Sequence, residues 1–240
     1  MKKRPKGEPT EIVYGHRACL AILARRPNDV LRVGCTRERE AEVRNERASP
    51  MVLSEREIER IARSPQHEGL VIETVARKWT SPQELGERLV KHRGAAIALD
   101  RVRNSYNIGA ILRSAAFFGI EGVLLGTPAP HPGLDANAIR VAEGGVEQLV
   151  LSRTTDLADT LSRLRARGVH VVGTDGQAKT SALAHVYERP SIVVLGNERE
   201  GLGPRVRAQC DALVAIRGTG AVESLNVGVA AGVLCAQLTR

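Results

Sequence analysis

The sequence predicts an α/β protein whose larger, C-terminal part is a mostly parallel β-sheet with helices on both faces. From residue 95 onward, short apolar segments rich in β-branched residues alternate with segments of helical pattern. These strands are apolar throughout instead of alternating with polar residues, which is typical of parallel strands buried on both faces. A shorter alternation of the same kind occupies residues 11–76. The chain is therefore expected to hold a small α/β domain followed by a larger one.

The N-terminal part begins with residues 1–10, which carry four basic side chains and no apolar run and are expected to form a disordered basic tail. The small domain is expected over residues 11–76, where Tyr14, Gly15 and His16 lead into the first helix. Its predicted elements are, in order, a helix over 17–25, a strand over 30–35, a helix over 54–62 and a strand over 70–75. Residues 77–94 combine Pro82 with clustered charges and predict a linker that contains one short helix.

The large domain is expected over residues 95–240. Its predicted strands cover residues 95–100, 122–125, 146–151, 169–173, 192–196 and 212–216. Its predicted helices cover residues 108–118, 136–141, 157–167, 204–209 and 227–239. In such sheets, ligands bind beyond the carboxyl ends of the strands. Glycines follow three of these ends, in residues 173–176, 196–198 and 217–220, so a ligand such as an adenine can approach the backbone there.

Several classes of protein are disfavoured by the sequence. The first strand of the large domain is not followed by a GxGxxG pattern, and the chain has neither a P-loop lysine motif nor a GxSxG nucleophile motif. The four cysteines are scattered without metal-ligand spacing, so no structural zinc, no disulfide framework and no catalytic metal are expected. The longest apolar run is too short to cross a membrane, and the N-terminus lacks the apolar core of a secretion signal. The cytoplasm is the expected location.

The charge of the chain favours a polyanionic partner. The formal net charge is +8. Residues 1–93 hold 20 basic and 14 acidic residues, so most of the excess lies in the N-terminal part. The basic residues are mostly arginines, whose guanidinium groups bind phosphates bidentately. Only 2% of the residues are aromatic, so contacts to a nucleic-acid backbone are expected to outweigh base stacking.

Three polar junctions between strands and helices are candidates for a site. Asn107 is the predicted N-cap of the helix over 108–118, and Arg113 lies further along that helix among apolar residues. A buried Arg113 needs an anionic partner, for which the carboxylate of Glu198 is a candidate, whereas at the helix edge it reaches solvent. Ser224 and Asn226 open the last helix, where free backbone N–H groups favour a ligand. Taken alone, this segment is better explained as an ordinary core helix with Ser224 as its N-cap.

The three junctions together resemble the three motifs of the SpoU/TrmH branch of the SPOUT RNA methyltransferases. The matching segments are residues 107–115 (NIGAILRSA) with Gly119, residues 193–198 (VVLGNE) with Gly201 and Leu202, and residues 223–227 (ESLNV). The match covers residues 95–240. The earlier part resembles, in outline, the ribosomal-protein-like substrate-binding domain that often precedes this catalytic domain. Many relatives have Asp-Pro where this chain has Asn104-Ser105, a difference that changes the stiffness of the turn.

The resemblance implies an S-adenosylmethionine-dependent enzyme that methylates a ribose 2′-hydroxyl of RNA without a metal. It also implies a deep trefoil knot near the C-terminus and a homodimer with the active site at or near the subunit interface. The implied cofactor-binding residues are Thr174, Gly196, Ile216, Gly218 and Leu225. The implied catalytic residues are Arg113, which acts on the hydroxyl, and Asn107, Glu198, Ser224 and Asn226, which position it or the RNA. By analogy with the two-domain layout, ribosomal RNA is favoured over transfer RNA.

Two questions about the chemistry stay open at the level of sequence. Arg113 either accepts the proton with a depressed pKa, or stays cationic and stabilises the developing alkoxide while another group is the base. The function also has rivals: a non-catalytic RNA-binding protein of the same fold, an enzyme of this fold that methylates a base, and a nucleotide-dependent oxidoreductase. The last of these is disfavoured by the missing glycine fingerprint.

Overall fold

The computed structural model describes residues 9–44, 49–126 and 134–239. The contacts within the chain divide it into two compact units. The first, called the N-terminal unit, comprises Met1–Lys78 and Leu134–Glu147, and the second, called the sheet unit, comprises Trp79–Gly133 and Gln148–Arg240. The first eight residues of the expected tail lie outside the described residues, and the tenth already begins a strand.

Strands and helices alternate along most of the described chain. The strands are β1 (Thr10–Tyr14), β2 (Val30–Cys35), β3 (Met51–Val52), β4 (Leu70–Val75), β5 (Ala95–Asp100), β6 (Gly122–Gly126), β7 (Val150–Thr154), β8 (His170–Thr174), β9 (Thr180–Ser181), β10 (Ser191–Leu195) and β11 (Ala212–Ala215). The α-helices are α1 (His16–Arg25), α2 (Glu40–Val43), α3 (Glu55–Ala62), α4 (Pro82–His92), α5 (Ser105–Phe117), α6 (Ala136–Val141), α7 (Leu157–Ala166), α8 (Pro204–Arg207) and α9 (Val227–Leu238). No helix of the described residues is long and apolar enough to cross a membrane.

The N-terminal unit is built on a four-stranded sheet in the order β1-β4-β2-β3. β4 runs antiparallel to β1 and β2, and β3 runs parallel to β2. The sequence gives little sign of β1, because it is an edge strand whose first three residues are only partly buried. Its register with β4, from Thr10 opposite Val75 to Tyr14 opposite Val71, holds it in the sheet.

Residues 134–147 lie between β6 and β7 in the sequence but belong to the N-terminal unit. Ala136 of α6 packs against the buried cluster that contains Tyr14, Ile58 and Val71. This placement differs from the expected domain boundaries, which assigned the segment to the large domain. An amphipathic helical pattern shows that one face is buried, but not which core receives it.

Glu147 fixes the end of this segment through buried charges. Its carboxylate contacts Arg26 Nε at 2.9 Å and Arg77 Nη2 at 3.1 Å. The exposed fractions of these side chains are 5% for Glu147, 17% for Arg26 and 7% for Arg77. Both guanidinium groups also contact Glu11. Because each charge has an opposite partner, the cluster joins three distant parts of the N-terminal unit without leaving a buried ion unpaired.

The sheet unit is a seven-stranded sheet in the order β7-β6-β5-β10-β8-β11-β9. Every adjacent pair is parallel, which confirms the predicted parallel sheet. The strand predicted over 146–151 is wrong at its start, because residues 145–148 form a 3-10 turn and β7 begins at Val150. Part of the expected linker is a packed helix of this unit, since Leu85 and Leu89 of α4 are fully buried in its core.

α5 begins earlier than the sequence predicts. Its N-cap is Asn104, whose side-chain oxygen accepts hydrogen bonds from the backbone N–H groups of Tyr106 and Asn107. The prediction of Asn107 as the N-cap is therefore wrong. Both positions carry the same good capping residue, so the sequence favours neither. The cap chosen by the fold leaves the side chain of Asn107 available for other contacts.

We expect Glu147→Ala to destabilise the N-terminal unit by about 3–5 kcal/mol, because Arg26 and Arg77 each lose a buried partner. Urea unfolding followed by circular dichroism measures the effect. Arg163→Ala is the control, since Arg163 pairs with Asp159 on the exposed surface of α7 and its loss costs less than about 1 kcal/mol. Equal stability of the two variants would contradict the structural role of the buried cluster.

Candidate active site

A cavity of about 450 Å³ lies beyond the carboxyl ends of β8, β10 and β11 in the sheet unit. This volume is in the usual range for small-molecule sites. The five residues implied to bind a cofactor all line it, namely Thr174, Gly196, Ile216, Gly218 and Leu225. Of the residues implied to be catalytic, Glu198 and Ser224 also line it. The structure thus gathers seven predicted residues from three strand ends around one space, while their roles stay predictions.

Gly196 forms part of the cavity wall. No residue with a side chain fits at this position. A Cβ atom at this position would lie 2.6 Å from Gly201 O and 2.6 Å from Leu202 N. Those are backbone atoms, which have no rotamer with which to move aside. The side chain of Thr174 joins the same wall from the neighbouring strand, as its hydroxyl donates to Val194 O at 3.0 Å.

A chain of hydrogen bonds connects the three sequence motifs. Asn226 Nδ2 donates to Asn107 Oδ1 at 2.9 Å. Asn107 Nδ2 in turn donates to Glu198 Oε1 at 2.6 Å. We call these three side chains the amide relay. Because each amide both accepts and donates, the relay fixes the orientation of the Glu198 carboxylate beside the cavity.

Asn226 also caps the last helix. Its side-chain oxygen accepts from the N–H groups of Gly228 at 2.8 Å and Val229 at 3.4 Å. Asn226, not Ser224, is therefore the N-cap of α9. Ser224 lies two residues before the cap, in the exposed segment that borders the cavity.

The relay requires α5 and α9 to approach closely. Gly228 lies against Ala110, and a Cβ added at Gly228 would be 3.1 Å from the Ala110 methyl group. One turn later, the corresponding distance from Gly232 to Ser114 Oγ is 3.6 Å. Small residues on both helices therefore bring the N-terminus of α9 within hydrogen-bonding distance of Asn107.

Arg113 is exposed, on a face of α5 that it shares with two aromatic residues. Tyr106 is 52% exposed and Phe117 is 82% exposed. Of the two sequence alternatives for Arg113, the structure shows the exposed one. Arg113 is not among the described residues that line the cavity. Within the amide relay, Glu198 accepts its hydrogen bond from Asn107.

Sequence reasoning missed one charged pair at the cavity. Asp175 and Arg207 both line it and form an ion pair. The backbone N–H of Gln177 and the Arg207 guanidinium hold the pKa of Asp175 below its usual value, so the carboxylate is ionised at neutral pH. Its place in the Gly-Thr-Asp-Gly turn after β8 was the available signal. Within the described ranges, no group of three His, Cys, Asp or Glu side chains is arranged to hold a metal ion.

A parallel sheet with a ligand-sized cavity at its carboxyl edge, bordered by a fixed carboxylate and amides, defines an α/β enzyme domain for a nucleotide-like ligand. The chain belongs to the SpoU rRNA methylase family, whose pattern matches residues 94–236. Membership confirms the resemblance drawn from the three motifs and makes the protein an RNA methyltransferase.

Two curated relatives illustrate the range of similarity. The chain is 33% identical to the 23S rRNA (guanosine-2′-O-)-methyltransferase RlmB of Shewanella oneidensis, over 96% of this chain and 97% of that protein. It is 34% identical to an uncharacterized tRNA/rRNA methyltransferase of Mycolicibacterium vanbaalenii, over 77% of this chain. In the second case the match spans 59% of the relative's length.

Solved structures share the fold over nearly the whole chain. A Porphyromonas gingivalis protein described as belonging to the TrmH family of RNA methyltransferases superposes with a TM-score of 0.77 and 26% identity, covering 95% of this chain and 89% of its own. The SpoU methyltransferase AviRb of Streptomyces viridochromogenes, solved with AdoMet, also gives 0.77, at 21% identity and with 95% and 88% coverage. The second likeness concerns the fold alone.

The two roles of Asn226 can be separated by two substitutions. We expect Asn226→Ala to lower stability by about 1 kcal/mol, because the cap of α9 is lost. Asn226→Asp keeps an oxygen that caps α9, but it removes the N–H group that donates to Asn107 Oδ1. Because the cap is kept, the stability of this variant should stay close to that of the wild type. Thermal unfolding of the three proteins measures the difference. An equal loss in both variants would show that the contact with Asn107, and not capping, stabilises the helix.

Proposed function

We propose that this protein transfers the methyl group of S-adenosylmethionine to a ribose 2′-hydroxyl of ribosomal RNA, at a guanosine of 23S rRNA. The observation that carries the proposal is the amide relay, which joins all three motifs beside a cavity of suitable size. The RNA class is supported by the relative named as a 23S rRNA guanosine-2′-O-methyltransferase, which aligns along almost its full length. The cytoplasm is the corresponding location.

The residues around the cavity fit S-adenosylmethionine. Apolar side chains of Ile216 and Leu225 provide surfaces for a flat base, and Gly196 and Gly218 expose backbone groups that hydrogen-bond to it. The ionised carboxylate of Asp175 offers an acceptor for hydroxyl or ammonium groups. When bound, the cofactor supplies a methyl group activated by a positively charged sulfur.

The side chains of this protein then align and activate the ribose. A 2′-hydroxyl is a weak acid and a poor nucleophile, so it must be positioned in line with the methyl group and lose its proton. Glu198 is held beside the cavity by Asn107, and Ser224 supplies a further polar group at the rim. Arg113, exposed on α5, holds an RNA phosphate and stabilises charge on the oxygen, while water or another group takes the proton.

A homodimer explains the position of Arg113. α9 has no charged residue, yet Val229 on its outer side is 54% exposed, and Phe117 of α5 is 82% exposed. Apolar residues on the outside of an otherwise buried helix favour a protein partner. In a twofold dimer built on this face, Arg113 of one subunit reaches the cavity of the other. The proposal includes the implied trefoil knot, which is compatible with the return of α9 to pack on α5.

The N-terminal unit is proposed to bind the RNA outside the reacting nucleotide. Its arginines include Arg17, Arg37 and Arg44, with exposed fractions of 73%, 77% and 67%. Guanidinium groups on the surface recognise RNA through the phosphate backbone and the shape of the strand. This role agrees with the excess of positive charge in the first 93 residues.

The central experiment measures transfer of labelled methyl groups to unmodified 23S rRNA and to tRNA, followed by digestion to nucleosides. We expect a labelled 2′-O-methylguanosine in 23S rRNA. Arg113→Ala should reduce turnover by about 100-fold or more, while calorimetry shows cofactor affinity within about twofold of the wild type. Arg163→Ala, a change at an exposed ion pair of α7, is the control.

Other outcomes of the same experiment contradict parts of the proposal. Label in tRNA alone would show that tRNA, and not 23S rRNA, is the substrate. Label on a base would show that the enzyme methylates a base and not a ribose hydroxyl. RNA binding without any transfer would support the non-catalytic alternative, and full turnover by Arg113→Ala would remove Arg113 from the mechanism.

Subunit complementation tests whether Arg113 acts across the dimer. Arg113→Ala lacks the arginine but keeps its cavity. Gly196→Ala keeps the arginine but distorts its cavity, because the added Cβ displaces the backbone of Gly201 and Leu202. Each variant alone should be inactive. Co-expression should restore about a quarter of wild-type activity, because half of the dimers are mixed and each mixed dimer has one complete site. No recovery in verified mixed dimers would place Arg113 in the site of its own subunit.

A further inference from the structure

We propose that Arg101, together with the buried Asp100, is a positioning residue that holds the segment carrying Glu198 and thereby one wall of the cavity. This inference rests on the proposed function, and it assigns to Arg101 a role that none of the three motifs includes. The guanidinium group stands outside the reaction and acts through the backbone of residues 197–201, called the Glu198 loop.

The Glu198 loop is closed on itself by its own hydrogen bonds. Asn197 N donates to Gly201 O at 3.1 Å, and Gly201 N donates to Asn197 O at 2.9 Å. Asn197 Oδ1 accepts from the N–H groups of Arg199 and Glu200 at 3.0 and 3.2 Å. These bonds define the shape of the loop but do not attach it to the neighbouring strand. Its orientation toward the cavity therefore depends on contacts from outside.

Arg101 makes such contacts at both ends of the loop. Its Nη2 donates to Gly201 O at 3.0 Å, and its Nη1 pairs with the carboxylate of Glu200. Its backbone carbonyl accepts from Asn197 Nδ2 at 3.0 Å. One residue after β5 thus holds the first residue and the last two residues of the loop, with the Glu198 side chain between them.

Asp100 contacts both the Arg101 guanidinium and the backbone that follows the Glu198 loop. It is the last residue of β5 and is 4% exposed. Its Oδ1 lies 3.3 Å from Arg101 Nε, and its Oδ2 accepts from Gly203 N at 2.7 Å. The guanidinium therefore lies between two carboxylates, those of Asp100 and Glu200. Without this cation, the buried Asp100 would lose its counter-charge.

The backbone of Arg101 adopts a conformation that favours glycine. Its φ angle is +59°, in the left-handed region that a residue with a Cβ adopts only at a conformational cost. Glycine would adopt this conformation without that cost. The side chain of Arg101 makes three contacts that glycine could not make, to Asp100, Glu200 and Gly201.

The held loop serves two parts of the site. Glu198 Oε1 receives its hydrogen bond from Asn107 at 2.6 Å, so a displaced loop breaks the amide relay. Gly201 and Leu202 also press against Gly196, where an added Cβ would lie 2.6 Å from their backbone atoms. Movement of the loop therefore changes both the catalytic carboxylate and the shape of the cavity.

The test is Arg101→Gly, which removes the guanidinium and relieves the backbone strain together. Arg93→Gly is the matched control, because Arg93 is exposed, ends α4 and has a φ angle of +49°. Arg101→Lys restores the charge without the planar fork. Each protein is examined by calorimetric titration with S-adenosylmethionine, by methyl-transfer kinetics on 23S rRNA, and by hydrogen–deuterium exchange of the amides in residues 199–203.

We expect Arg101→Gly to weaken cofactor binding and lower kcat by about tenfold each, with KM for the RNA unchanged. Its melting temperature should fall below that of the control, because the buried Asp100 loses its counter-charge. Amide exchange should accelerate in residues 199–203 only. Arg101→Lys should recover part of the cofactor affinity and of the amide protection. Arg93→Gly should match the wild type in all three measurements.

Unchanged exchange and unchanged cofactor affinity in Arg101→Gly would overturn the inference. A raised KM for RNA with normal exchange would also overturn it, because Arg101 would then contact the substrate directly. Failure of the proposed function gives a different result, in which the wild type transfers no methyl group while the exchange of residues 199–203 still responds to Arg101→Gly.

Discussion

The hydrogen bond from Asn226 to Asn107 is the contact on which the site depends. It joins the start of the last helix to α5 of the sheet unit, across 119 residues of sequence. The bond forms because Gly228 and Gly232 let α9 lie directly on α5. The fit is tightest at Gly228, where an added Cβ would lie 3.1 Å from the Ala110 methyl group, and a larger side chain there would move Asn226 away from Asn107. The close packing of α9 on α5 and the hydrogen bond between Asn226 and Asn107 therefore depend on each other.

Much of the fold could be predicted from the sequence. The strands over 30–35 and 70–75 and the helix over 136–141 have the same bounds in the structure, because each shows a clear apolar pattern between turn residues. The parallel sheet was predictable for the same reason, since its strands are apolar on both faces. β7 was displaced by four residues because Val146, although apolar and buried, belongs to the turn before the strand.

The site was predictable only in part. The three motifs identified the strand ends at which polar residues gather, and seven of the ten implied residues line the cavity. The sequence could not show which side chains touch, because the contact between Asn107 and Glu198 spans 91 residues. Asp100 and Arg101 looked like the ordinary end of a strand. Their importance becomes visible only from the φ angle of Arg101 and from the burial of Asp100.

Residues 134–147 belong to the N-terminal unit although they follow β5 and β6 in the sequence, and this order affects how the protein folds during synthesis. The chain passes from one unit to the other three times, so neither unit corresponds to one continuous stretch of the gene. On the ribosome, the N-terminal unit cannot complete its core until Glu147 has emerged, by which time β5 and β6 of the sheet unit already exist. A gene fusion that exchanges only the first 94 residues would remove the core against which α6 packs, so an exchange of the N-terminal unit has to include residues 134–147 as well.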